Sequence, residues 1–219
     1  MFKLANICKL FLFMLFVGSI TGCAELKELR GLNKRQSITI RDQASEISGL
    51  KGENSKLSNK LLNEDLEKRK LRAELEKLAS AIGDGAIVRD TTEGPVIQLQ
   101  ETILFDSGMA EIKLTGESAL LKIAEYLASR PDADLRIDGH TDSDPIVRTK
   151  HLWDSNHHLS AARALAVFHF LTKREKISPD KIHISGFGAN RPVSSNDSKT
   201  GKKENRRVEF LIIKGSFFK

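Results

Sequence analysis

Residues 133–144 read ADLRIDGHTDSD, and this stretch changes character in the middle. Its first half, ADLRIDG, reads as a β-strand. From Asp138 onward the stretch gathers Asp138, His140, Asp142 and Asp144 within seven residues, and His151, Asp154, His157 and His158 follow. Acids and imidazoles this dense suit a metal site, a catalytic cluster, or a binding site that does no chemistry. The surrounding sequence has to decide among them.

On the N-terminal side, VIQLQETILF (residues 96–105) alternates with Ile97, Leu99, Ile103 and Phe105 on one side, which predicts a strand. TGESALLKIAEYLAS (115–129) predicts an amphipathic helix capped by Thr115, burying Leu120, Ile123, Ala124 and Leu127. On the C-terminal side, LSAARALAVFHFLTK (159–173) predicts a second helix, with Leu165, Phe168 and Leu171 or their neighbours inward. DKIHISGFG and RRVEFLIIK predict two last strands. The order βαβαββ over residues 96–215 implies an α/β (α+β) two-layer sandwich.

Residues 36–82 follow a different rule. Apolar residues recur every seven positions. Position a falls on Ile40, Ile47, Asn54, Leu61, Lys68, Leu75 and Ile82, and position d on Gln43, Leu50, Leu57, Glu64, Leu71 and Leu78. Nine of the thirteen are apolar, a coiled-coil tendency with a weak centre at Glu64 and Lys68. Asn54 at an a position favours an in-register homodimer, in which each amide meets its own copy. A single solvated helix or a mostly disordered linker fits the same composition. As a helix, roughly 45 residues make a rod of about 65–70 Å. The glycines and proline of residues 83–95 end the repeat and read as a linker.

The first 22 residues combine Lys3, Lys9 and no acid with an eleven-residue apolar run, Leu10 to Ile20. That run is shorter than the ~20 residues a membrane helix needs and has the layout of a secretory signal peptide. It closes on ITGC, which resembles a bacterial lipobox with Cys23 as the lipidated first residue. An ordinary signal peptide with a chance cysteine, or an uncleaved anchor, is the alternative. Residues 23–35 would then be the lipidated N-terminus and its linker. Ala24 stands where an inner-membrane retention Asp would stand, so the expectation is a lipid-anchored protein of the Gram-negative outer membrane, facing the periplasm. Of two cysteines, Cys8 leaves with the signal and Cys23 carries lipid, so no disulfide is expected. Loss of two lysines lowers the formal charge from +6 to +4, a mild excess suited to an anionic polymer. No nucleic-acid motif accompanies it.

Five stretches, ILFDSGMAEI, DGHTD, N..LSAARA, GFGANRPV and GKKENRRVEF, occur in this order over residues 102–210. Together they resemble the OmpA-like peptidoglycan-binding domain of OmpA, peptidoglycan-associated lipoprotein and MotB. The resemblance implies a non-enzymatic module, without cofactor, that holds the diaminopimelate of uncross-linked stem peptides. It implies Asp142 for the ligand ammonium and Arg163 for its carboxylate, with Thr141 beside Asp142. Asn156 and Leu159 match the pocket wall, and Phe105 and Asp106 its other side. Gly108 stands where some members have Asn, and Asn205 and Arg206 match the stretch near the site. Physically, a zwitterion asks for an acid and a base a few ångströms apart, and a guanidinium can take a carboxylate bidentately. Ser160 is placed to cap the helix that carries Arg163. Spacing alone favours Asp142 and Arg163 pairing with each other as a structural ion pair, and the ordered motifs reverse that reading to ligand binding.

SDPIVRTKHLWDS (143–155) is longer than the matching loop of OmpA and closer to the stator proteins. Its Trp153 either covers the ligand or anchors the loop. Two rivals stay open. One is a metal-dependent hydrolase using His140, Asp142, Asp144, His151, His157 and His158, although no HExxH or paired cysteine supports it. The other is a stator-like or accessory wall anchor of a flagellar motor or secretion machine. An ion-conducting stator needs an acid inside a full membrane helix, and residues 10–20 contain none.

Overall fold

The computed structural model describes the backbone of residues 2–214 and the side chains of residues 25–213. The expected signal peptide, residues 1–22, and the expected lipidation site Cys23 lie outside the residues whose side chains are described. The chain divides into two units, one up to Asn63 and one from Glu64 onward.

The first unit is helical throughout its described length, as part of α1 (Phe2–Ile82). Residues 25–35, expected within a linker, are helical as well. Leu, Lys, Glu and Arg dominate there, and all are strong helix formers. The heptad residues Ile40, Ile47, Leu50, Leu57 and Leu61 are all more than half exposed. Among the described residues no helix is long and apolar enough to cross a membrane.

The second unit begins with the last turns of α1, and here the heptad reading needs correction. Leu75 is fully buried in the core of the sandwich, and Leu71, Leu78 and Ile82 pack against that core. Arg72 pairs with Asp90, Glu74 with Arg130, and the Tyr126 hydroxyl donates to Glu74 at 3.1 Å. These a and d positions therefore serve the domain itself. A heptad read from sequence cannot say whether its apolar stripe meets another helix or the chain's own core. Gly83, at φ +104°, ends the helix in the left-handed conformation that favours glycine.

Among the described residues five strands follow, in the sheet order β1-β2-β5-β3-β4. β1 (Ala86–Thr91) and β2 (Gly94–Gln100) form an antiparallel hairpin from residues expected to be largely linker. β2 pairs with β5 (Arg207–Lys214), β5 with β3 (Ala133–His140), and only β3 and β4 (Ile182–Gly186) run parallel. β2 stops at Gln100, where a continuous strand to Phe105 was expected. A helical turn, α2 (Glu101–Leu104), intervenes, and Phe105 then makes an isolated bridge to Ile112. The Glu101 N–H donates to the Arg206 carbonyl at 3.0 Å, turning the chain inward there.

α3 (Leu114–Ala128) buries Leu120, Ile123, Ala124 and Leu127 as expected. It starts one residue earlier than Thr115, whose hydroxyl instead donates to the Ile103 carbonyl at 2.8 Å. α4 (Asn156–His169) crosses between β3 and β4 and is capped by Ser155, whose Oγ accepts from His158 N–H. Ser160 is therefore not the cap. It is fully buried, and its Oγ accepts from Gly188 N–H at 2.9 Å and donates to the His157 carbonyl. Ala164, Val167 and Leu171 are the inward neighbours, while Leu165 is 40% exposed. α4 ends in a π turn at Phe170–Arg174, and α5 (Lys199–Asn205) leads into β5.

Gly139 permits this packing. A Cβ at Gly139 would lie 2.2 Å from the Ser160 carbonyl oxygen, so only glycine lets α4 lie so close to β3. Strand alternation sends Leu135 and Ile137 toward the helices. Asp134, Arg136, Asp138 and His140 fall on the opposite face.

Candidate ligand-binding site

A cavity of about 400 Å³ opens where β3 ends. Thr141 and Asp142 follow directly from that strand, Asn156, Leu159 and Arg163 come from α4, and Glu101 and Phe105 come from α2 and its end. Arg206 enters from the start of β5, and residues 144–149 of the long loop form a wall. The carboxyl end of a strand in a sheet of this kind is a favoured ligand position.

Asp142 and Arg163 do not pair with each other. Arg163 is 2% exposed, and its Nη2 bonds Glu101 Oε1 while its Nε donates to the Met109 carbonyl at 2.9 Å. Its guanidinium carbon stands 5.3 Å from the centroid of the Phe105 ring. Glu101 Oε2 in turn accepts from Arg206 Nε at 2.8 Å, and Arg206 Nη1 bonds Asp142 Oδ2. The result is an alternating row: Arg163, Glu101, Arg206, Asp142. Burial pushes the Arg163 guanidinium below its ordinary value, with Glu101 opposing. An arginine remains charged through such a shift. Its Nη1 makes no hydrogen bond with the described residues, and Arg163 still lines the cavity.

Asp142 is fixed from its other side as well. Its Oδ1 accepts from Asp144 N–H at 3.1 Å, and the Asn156 amide donates to the carbonyls of Asp142 and Asp144 at 3.2 and 2.9 Å. Lys202 pairs with Asp144 at 2.7 Å. Arg163, Arg206 and Lys202 are thus each matched by a carboxylate, while Arg148, which also lines the cavity, donates to the Ser107 hydroxyl at 3.3 Å.

Eight of the ten residues named from sequence line the cavity: Phe105, Gly108, Thr141, Asp142, Asn156, Leu159, Arg163 and Arg206. Two do not. Asp106 points to solvent with a side chain 74% exposed and pairs with Lys113 at 3.2 Å. Asn205 is fully buried, and its Oδ1 accepts from Val193 and Ser194 N–H while its Nδ2 donates to Ser194 O and Asn196 Oδ1. It shapes the loop behind the site. Glu101 was missed, although it joins the two arginines. Its only sequence signal was a charged residue on the apolar side of an otherwise alternating strand.

Trp153 anchors the loop, because its Nε1 donates to the Gly108 carbonyl at 2.8 Å. Gly108 itself has φ +74°, and a Cβ there would press on the Thr149 hydroxyl at 3.0 Å. The residues proposed as metal ligands do not converge. His140 lies on the other face of the sheet, His157 meets the Asn190 amide, and His158 packs on Trp153 beside Asp154.

Residues 104–206, which hold every element of this cavity except Glu101 and Thr102, match the OmpA family. They are an OmpA family domain. The chain is 40% identical over 121 residues to the uncharacterized protein YtxE of Bacillus subtilis, covering 55% of this chain and 49% of that protein. It is 36% identical over 123 residues to Motility protein B of the same organism, covering 56% and 46% respectively. The chain thus spans about half the length of these curated relatives. Among solved structures, the cell wall anchor of the T6SS from Pseudomonas aeruginosa matches with a TM-score of 0.57 at 26% identity, covering 66% of this chain and 99% of that one. The OmpA family domain here differs from a plain βαβαββ sandwich by its added β1 and by α1 residues packed into its core.

Proposed function

We propose that this chain is a non-enzymatic envelope lipoprotein whose OmpA family domain holds peptidoglycan through the diaminopimelate of a stem peptide. The observation that carries the proposal is the alternating row at the cavity. Arg163 and Asp142 stand at its two ends, with Glu101 and Arg206 between them. The row is balanced, two guanidiniums against two carboxylates. A ligand bearing one ammonium and one carboxylate enters without leaving a charge uncompensated, and uncompensated buried charge is what costs most. The ammonium takes the Asp142 end and the carboxylate takes the free Nη1 of Arg163. Apolar Phe105, Leu159 and Ile146 line the space that the ligand's methylenes would fill.

In this proposal residues 1–22 are a signal peptide and Cys23 is lipidated in the outer membrane, with the chain facing the periplasm. Residues up to Asn63 act as a spacer. A second copy pairs along Ile40, Ile47, Leu50, Leu57 and Leu61, whose exposure supports a homodimeric seam. The names of two matching proteins, a motility protein and a secretion-system cell wall anchor, favour a second reading. There, the same grip on the wall anchors a motor or secretion machine.

Co-sedimentation with purified sacculi tests the proposal. Wild type is expected to pellet with the wall, and Asp142→Ala and Arg163→Ala to remain in the supernatant. Unchanged pelleting of both folded variants would sink the pocket assignment.

A further inference from the structure

The open face of the sheet carries a second cavity, of about 190 Å³, that shares no lining residue with the first. Strand alternation separates the two sites. His140 and Arg207 point here, while Thr141 and Arg206 point to the first cavity.

The floor holds Asp138, His140 and Glu209, all buried, with donor atoms within 4.8 Å of one another. That spacing alone would suit a divalent metal. The charges do not. Arg136 bonds both oxygens of Asp138 at 2.9–3.0 Å and also holds Glu93, and Arg207 donates to Glu209 at 2.6 Å. Both carboxylates are already neutralised. Arg191 and Arg89 line the same cavity and make no ion pair among the described residues. Arg191 instead lies over the Phe187 ring at 3.8 Å. Four guanidiniums face three carboxylates, an excess of one positive charge.

His140 is the group the fold leaves open. It is 2% exposed and stacks on Phe187 at 5.3 Å, yet neither ring nitrogen has a hydrogen-bond partner among the described residues. Glu209 Oε2, 3.8 Å from Nε2, is too far to serve. Burial, then Arg207, Arg191 and Arg136, hold the imidazole down to about 3, so it is neutral and carries one N–H with nothing to receive it. Buried polar groups in folded proteins are almost always satisfied.

We propose that this cavity binds one small carboxylate, which accepts the His140 N–H and balances the charge of Arg191 and Arg89. The volume is below that of ordinary drug-sized sites of roughly 300 Å³ and more, so the ligand is a short acid or the end of a peptide. The site is independent of the stem-peptide reading, since none of its residues lines the first cavity.

The test follows the ¹⁵N resonances of the His140 ring in the full chain during titration with sodium acetate, ionic strength being held with sodium fluoride. N-acetylalanine, titrated in parallel, separates a peptide end from a free acid. The expected result is a saturable shift of His140 with acetate, weakened at least tenfold in Arg191→Gln combined with Arg89→Gln. The Arg191 carbonyl that Arg207 holds is unchanged by that substitution, and the wild-type titration decides alone if the variant fails to fold. A linear shift without saturation, saturation unaltered in the variant, or a shift with Zn²⁺ instead of acetate would each overturn the proposal.

Discussion

Asp142 and Arg163 act at a distance from each other, joined through Glu101 and Arg206 rather than by contact. Each end group is instead paired with an intermediary, Arg163 with Glu101 and Asp142 with Arg206. Two intermediaries keep the end groups apart and fix each in orientation. Arg163 is almost wholly enclosed, so its partner Glu101 is as necessary to the fold as to the site.

Glu101→Gln therefore tests both. Removing one carboxylate leaves Arg163 buried beside a neutral amide, and breaking such a pair costs about 3–5 kcal/mol. Urea unfolding followed by circular dichroism should show a midpoint lowered accordingly. Asp142→Asn, at the more open end, should lose sacculus binding with a much smaller change in midpoint.

How much of this was legible in the sequence depends on the residue. The fold class followed from the order of strand-like and helix-like runs, with the alternation of residues 96–105 marking the strand that became β2, and the ordered motifs led to eight cavity residues. Glu101 was hidden because an alternating pattern, Ile97, Leu99, Ile103, Phe105, continued across it and suggested an unbroken strand. The break comes from a long-range bond to the Arg206 carbonyl, which no local pattern encodes. Ser160 looked like a cap because apolar periodicity starts near it, while the helix starts at the polar Asn156.

The divided use of the heptads gives a paired prediction. Leu75→Ala removes a fully buried side chain from the domain core, at a cost of about 2–5 kcal/mol, without changing oligomeric state. Leu50→Lys places a charge on the exposed stripe and should convert a dimer to a monomer with the unfolding of the domain unchanged. Sedimentation equilibrium and thermal unfolding separate the two effects. Dimerisation that survives Leu50→Lys would rule out this seam.

Gly139→Ala is expected to destabilise far more than its size suggests. The added methyl meets the Ser160 carbonyl, which belongs to the backbone of α4 and cannot rotate away. Overpacking of this kind costs about 1–3 kcal/mol or more. Because α4 carries Asn156, Leu159 and Arg163, binding should weaken together with stability. Unaltered melting of Gly139→Ala would show that α4 can shift freely against β3.

Acid should weaken the fold through His140. Its folded value lies near 3, against an ordinary 6.5, so the unfolded chain binds a proton first as pH falls. Stability present above pH 6.5 is lost progressively between there and about 3, by an amount on the order of a few kcal/mol. Asp138 acts the other way. Burial raises its carboxyl, with Arg136 opposing, which favours the folded state in acid. His140→Asn, which cannot titrate, should flatten the decline measured by urea unfolding from pH 7 to pH 4. An equally steep decline in that variant would place the acid sensitivity elsewhere.

The most direct test of the zwitterion site is calorimetric titration of the whole chain with three small molecules of like length. Diaminopimelate carries an ammonium and a carboxylate together on a carbon at each of its two ends, pimelate has only carboxylates, and cadaverine has only ammoniums. Measurable binding is expected for diaminopimelate alone, and its loss in Asp142→Asn. Binding of pimelate or cadaverine as tight as that of diaminopimelate would contradict a pocket built for a zwitterion between Asp142 and Arg163.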